Sequence, residues 1–155
     1  MASLLSRNNF VASLITGIVF CALFIQNGFS VIQVEEVADG QKIDFENDLL
    51  PIFKKNCLAC HNTSKSKGDL NLETPQKIKS GGTEGVVIPG DPERSLLFIS
   101  AAHQDEDLIM PPTGNKVKAK NFTPAELGIL KRWIEDGAEG SVSQSNNIKF
   151  EEPVR

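Results

Sequence analysis

The sequence predicts an all-α domain of three to four short helices and long loops, spanning 44–138 of the 155 residues. Apolar residues recur at helical spacing in two stretches, one at each end of that span. Capping and stop signals bracket both. Proline and glycine punctuate most of what lies between, so the helices are short and the loops long.

The first 30 residues read as a leader. Arg7 precedes "FVASLITGIVFCALFI", an uncharged and largely apolar run over 10–25, and Gly28 and Ser30 are small residues placed for a cut before Val31. The run is short of the ~20 residues a membrane span needs. The chain is therefore expected to be exported to the periplasm. It is either soluble after cleavage or anchored by 10–25. Residues 31–43 are polar and acidic and read as a linker.

Helix is expected from Asp44, a cap residue, with Phe45, Leu49, Ile52 and Phe53 forming one apolar face that runs into Cys57. Over 62–90 the chain reads as loop, with a short extended piece at Leu70 and Leu72. A single helical turn starts at "TPQKIK", where Thr74 caps and Pro75 takes the first position. Asp91 and Pro92 restart helix through Leu96 and Leu97, and "IMPPTG" ends it because Pro111 and Pro112 cannot continue. "TPAE" at 123–126 is a capping box, followed by the stripe Leu127, Leu130, Trp133 and Ile134 and a stop at Gly137. Residues 139–155 read as a flexible polar tail.

"CLACH", 57–61, concentrates chemistry in a chain with three cysteines and two histidines. A redox dithiol needs a thiolate of lowered pKa, typically after a strand, and here a helix comes first. Zinc needs about four ligands, and adjacent Cys60 and His61 are poorly placed to share one tetrahedral ion. A disulfide across two residues closes a very small loop and leaves His61 unexplained. C-x-x-C-H is also the attachment signature of c-type haem, in which both thiols bond the porphyrin and the histidine meets the iron. That reading uses all three residues. It also suits an exported chain with few aromatics: nine Phe, one Trp and no Tyr.

A methionine downstream extends it. Apart from the initiator, Met110 is the chain's single methionine, stiffened by the two prolines after it. His/Met is the axial pair of electron-carrying cytochromes and raises the potential. Otherwise Met110 is a core filler. His103, in "AAHQDED", is the rival ligand, read as a solvated loop histidine beside carboxylates. Pro89 is a candidate partner for the second ring nitrogen of His61.

The blocks "FENDLLPIFKKNCLACH", "KGDLNL", "VVIPGDPERSLLF", "HQDEDLIMPPTGNK" and "FTPAELGILKRWIEDGA" together resemble the Planctomycete-type cytochrome c domain, a branch of the class I cytochromes c. The resemblance covers 44–138. It implies the class I fold, with first and last helices crossing beside one covalent haem c. Cys57 and Cys60 then hold the haem, His61 is the proximal iron ligand and Met110 the distal one. Phe45 or Leu49 meets Trp133 or Leu130 at the crossing. The stretch over 114–122 is longer than the family's usual one.

Charge bears on partners. The chain carries 16 basic and 20 acidic residues, net −4, which argues against nucleic acid. Yet Lys54, Lys55, Lys65, Lys67, Lys77 and Lys79 against Asp69 and Glu73 leave 54–79 locally basic. That patch is either a surface that steers redox partner proteins or a set of ordinary solvated lysines. The functional expectation is a monohaem electron carrier and no enzyme. The alternative is a haem-bearing subunit or docking module of a periplasmic oxidoreductase, and a third reading frees Met110 to give a ligand sensor.

Overall fold

A computed structural model describes residues 30–140; the leader, its apolar run over 10–25, and the tail from 141 lie outside the described residues. Helix begins where the cap was read: the Asp44 carboxylate accepts from the Asn47 amide at 2.8 Å. The first turn, Phe45–Leu49, is π-helical, and Leu50 donates to the Phe45 carbonyl before α1, Leu50–Asn56, continues. Pro51 accounts for the wide turn, since it has no N–H and its ring crowds the carbonyl four residues back.

After Cys57 the chain doubles back through a minimal antiparallel pair, β1 (His61–Asn62) and β2 (Lys65–Ser66), with His61 opposite Ser66. Helix α2, Pro75–Ser80, is capped by the Thr74 side chain. The expected helix from Asp91 splits into a 3-10 turn, Pro92–Arg94, and α3, Leu96–Ala101. Ser95 makes the break. Its buried hydroxyl accepts from the Ile88 amide and donates to the Asp91 carbonyl, both at 2.8 Å, so it leaves the helical path. Helix α4, Pro124–Glu135, has the full capping box: Thr123 and Glu126 each take the other's backbone N–H.

The protein is thus mainly helical, with short helices and long loops. Its core lies where α4 meets the start of the chain. Phe45, Leu49, Phe53, Leu130, Trp133 and Ile134 are at most 1% exposed. The Phe45 and Trp133 rings stand 5.6 Å apart, as expected of a helix crossing. Each such side chain contributes about 1.5–3 kcal/mol by burial. Lys55 reaches Glu126 at 2.8 Å, closing the same pair of elements on the outside.

The sequence reading needs correction at both ends. Residues 31–43 are no free linker: Ile32 donates to the Ala102 carbonyl, Glu35 to the Pro124 carbonyl, and Arg132 to the Val37 carbonyl. Ile32, Val34 and Ile43 rest on the core, so the segment's few apolar residues, too sparse to show a period, suffice to seat it. Glu139, assigned to the tail, accepts from the Trp133 indole at 2.7 Å and pairs with Lys79.

Gly128 makes the strap's approach feasible. A Cβ there would sit 1.9 Å from the Glu35 carbonyl oxygen. Helix propensity alone favours Gly128→Ala by about 1 kcal/mol. The packing reverses that sign, and chemical denaturation should show a loss of about 1–3 kcal/mol. A stabilised Gly128→Ala protein would show that the strap does not seat on α4.

Candidate functional site

The end of α1, the turn after it, α3 and the loop after Met110 enclose a cavity of about 700 Å³. Cys57, Cys60 and His61 line one part of its wall, and Met110 and Pro111 line another. All four residues singled out from sequence therefore face one space. Most of the remaining wall is apolar, including Leu70, Leu72, Leu97, Ala101 and Phe122.

The geometry at the cysteines follows from the helix. α1 ends at Asn56, Cys57 donates to the Phe53 carbonyl, and the amides of Cys60 and His61 both turn back onto the Cys57 carbonyl. This tight turn brings both sulfurs and the imidazole to the same wall. The two thiols are free. Burial pushes the Cys57 thiol up to about 12, with the Glu126 carboxylate and Cys60 adding to the effect. That is the reverse of what a thiolate nucleophile needs, so the redox-dithiol reading loses its footing. Among the described residues no three His, Cys, Asp or Glu side chains stand together as a metal cluster, which leaves the zinc reading without a ligand set.

His61 is fixed by its backbone, its carbonyl accepting from Leu72 at 3.0 Å. Burial lowers its pKa, partly offset by the backbone of Lys67 and Leu70 beside the ring. Nδ1 itself is buried without a hydrogen bond among the described residues. The expected partner at Pro89 is therefore not made. The β1–β2 turn folds 67–70 next to the ring, whereas 89–90 is drawn to the end of α4, where Gly90 donates to the Ile134 carbonyl at 2.7 Å.

Met110 is 43% exposed and held through its amide, which donates to the Ser100 carbonyl of α3. His103 departs from expectation. It is 8% exposed rather than solvated, because α3 ends and a left-handed residue (φ 55°) turns the side chain inward. It does not line the cavity, so the two rival ligands are spatially distinct.

The chain's residues fit a flat, largely apolar macrocycle with two attachment points. The cavity lies within the ~300–1,000 Å³ range of cofactor sites. Both cysteines reach it, and its wall carries a buried unpartnered imidazole nitrogen and the Asn56 carboxamide, whose nitrogen and oxygen are both buried and unpartnered. Leaving such groups unsatisfied costs about 1–3 kcal/mol each, so the wall suits a partly polar occupant.

Among the wall residues that sequence reading missed are Asn56, Asn115 and Lys116. Asn115 builds the loop after Met110, accepting from the Ala119 amide and donating to the Pro112 and Ala119 carbonyls. The signal was the alternating lysines of "NKVKAKN" directly after "MPPTG". Of the expected basic patch, Lys55, Lys77 and Lys79 are ion-paired with Glu126, Glu73 and Glu139, while Lys65 and Lys67 stand at the cavity.

Residues 57–114 match the family model described as Planctomycete cytochrome C. The matched segment starts at Cys57 and ends just beyond Met110. No curated protein and no solved structure matches the chain.

The loop carrying His61 is braced by Glu73, which accepts from Thr63, Asn71 and Lys77. The hydrogen bonds from Thr63, then Lys77 and Asn71, hold this exposed carboxylate down at about 2, against an ordinary 4.5. A depressed folded pKa contributes stability above the unfolded value, and that contribution is lost as pH falls through the folded one. Glu73→Gln should therefore flatten the fall of the thermal midpoint between about pH 4.5 and pH 2. An unchanged slope would remove the brace from the account.

Proposed function

Given residues 57–114 in the Planctomycete cytochrome C family, we propose that this chain is a monohaem one-electron carrier of class I fold. The observation that carries the reading is a single cavity onto which both attachment cysteines, His61 and Met110 open. Cys57 and Cys60 would hold haem c by thioether bonds, and His61 and Met110 would bind its iron. The group would supply a reversible ferric/ferrous couple, and with His61 and Met110 both bound to its iron the protein would carry electrons rather than catalyse there.

The chain's own residues do the rest. Apolar walls from Leu70, Leu72, Leu97 and Phe122 exclude water and disfavour a net charge. The Cys57 turn fixes His61 through backbone rather than through a flexible side-chain tether. The Ser100 carbonyl accepts from the Met110 amide and two prolines follow it, so Met110 is held at the cavity wall, as a weak thioether ligand would require. The crossing of the Phe45 turn with α4 supports the class I assignment. Export to the periplasm, with the leader cleaved or retained, belongs to the same proposal and rests on the apolar run over 10–25.

The test is ligation. The haem-loaded oxidised protein should show the weak red absorption band of sulfur–iron bonding. Met110→Ala should abolish that band and let the reduced protein bind carbon monoxide. Met110→His should keep six-coordination and lower the potential by a sizeable part of the ~0.8 V that axial ligands span. Wild-type spectra and potential in the Met110→Ala protein would assign the sixth position to another residue, and His103→Ala would then identify or exclude the rival.

A further inference from the structure

The apolar face of α1 runs through Leu49, Ile52 and Phe53 at spacings of three and four, and the same spacing puts Asn56 next on it. That position calls for an apolar side chain. Asn56 occupies it instead. It is 2% exposed and lines the cavity, and neither its carboxamide nitrogen nor its oxygen has a hydrogen-bond partner among the described residues. Other polar side chains at the wall are provided for. Asn115 is bonded to the Pro112 and Ala119 backbone, and Lys65, Lys67 and Lys116 are exposed. Leucine has the same branched shape as asparagine and would avoid the desolvation cost of two unpaired groups. A polar residue kept at a core position without partners marks a function rather than packing.

We infer that Asn56 raises the reduction potential of the cofactor by donating an amide N–H to it beside Cys57. The inference rests on the haem reading, since the carboxamide needs that group as its partner. Asn56 adjoins Cys57 in the chain, so it serves the thioether-bearing edge. In haem the carboxylates lie on the opposite edge. Near the cysteines the group offers acceptors, thioether sulfur and the π face, and no donor. The N–H is therefore what Asn56 presents, with the positive end of the amide dipole toward the ring. That orientation favours the ferrous state, which carries one positive charge fewer than the ferric. The apolar surroundings of Leu70, Leu72, Leu97 and Phe122 strengthen the effect, because little solvent screens it.

The experiment is spectroelectrochemistry on the full haem-loaded protein, in which the electrode gives one electron to ferric iron and no proton moves. Asn56→Leu should favour the ferric state about tenfold, a fall of ~59 mV for one electron. Asn56→Ser, which keeps a donor, should fall less. Asn56→Asp, which replaces the donor with a negative charge, should fall more. Asn121→Leu, at an exposed asparagine outside the lining, should leave the potential unchanged. The red sulfur–iron band should persist throughout. Added apolarity alone predicts the opposite sign for Asn56→Leu, since it disfavours the more highly charged ferric iron. A potential that rises or stays put in Asn56→Leu would therefore overturn the inference. So would an equal fall in Asn121→Leu, or loss of the red band in Asn56→Leu, which would make Asn56 a prop for the ligands. A second measurement needs no variant. In nitrogen-15-labelled wild-type protein, the Asn56 amide protons should shift between the ferric and ferrous states and resist exchange with heavy water, as a bonded buried N–H does. Unshifted, freely exchanging protons would overturn the inference by themselves. A colourless protein would defeat the haem reading and this inference with it, whereas each of the other contrary results leaves the haem reading standing.

Discussion

The packing of the Phe45 turn against Trp133 of α4 is the contact on which the rest depends. It fixes the direction of α1, and α1 delivers Cys57 to the cavity wall one residue after it ends. Everything downstream inherits that position. The turn through Cys60 and His61 hangs on the Cys57 carbonyl, the β1–β2 pair hangs on the turn, and the Glu73 network braces the loop from outside. Lys55 and Glu126 add an outer tie, since Glu126 both caps α4 and receives the lysine. Burial pushes the Glu126 carboxyl up, and the bonds from Lys55 and Thr123 outweigh it, so its pKa ends below the usual range.

The second wall is organised differently. It contains little helix: α3 is six residues long, and beyond it the chain reaches Met110 and Phe122 through turns. Order there comes from side chain–backbone bonds. Ser95 breaks the helix at the right point and Asn115 closes the loop, and one backbone bond adds to these, from the Met110 amide to the Ser100 carbonyl. One wall is thus set by core packing and the other by polar bonds of individual side chains. Such a division lets the second wall and its lysines vary without disturbing the helix crossing.

What the sequence made legible follows the same division. The Phe45 stripe, the capping box at Thr123 and the stripe to Ile134 are periodic and local, so they were read correctly, as was the contact between Phe45 and Trp133. The cluster at Cys57 and His61 stood out because its residues are consecutive; the structure brings them to one cavity wall, within the family match over 57–114. The π turn was not legible, because the effect of Pro51 depends on how the following helix packs. Nor was the burial of His103, which follows from one left-handed residue in a polar-looking run. The strap at 31–43 failed for a third reason: backbone bonds and a bare Gly128 seat it, and neither leaves a hydrophobic pattern.

The central claim is covalent: two thioether bonds from Cys57 and Cys60 to one iron porphyrin in the cavity. The direct measurement is the intact mass of the protein, matured with a haem-attachment system and then fully denatured. The account predicts the polypeptide plus one haem, with the haem resisting acidic organic extraction, and loss of that stable attachment in Cys57→Ser with Cys60→Ser. A wild-type polypeptide that denatures to its bare mass would contradict it.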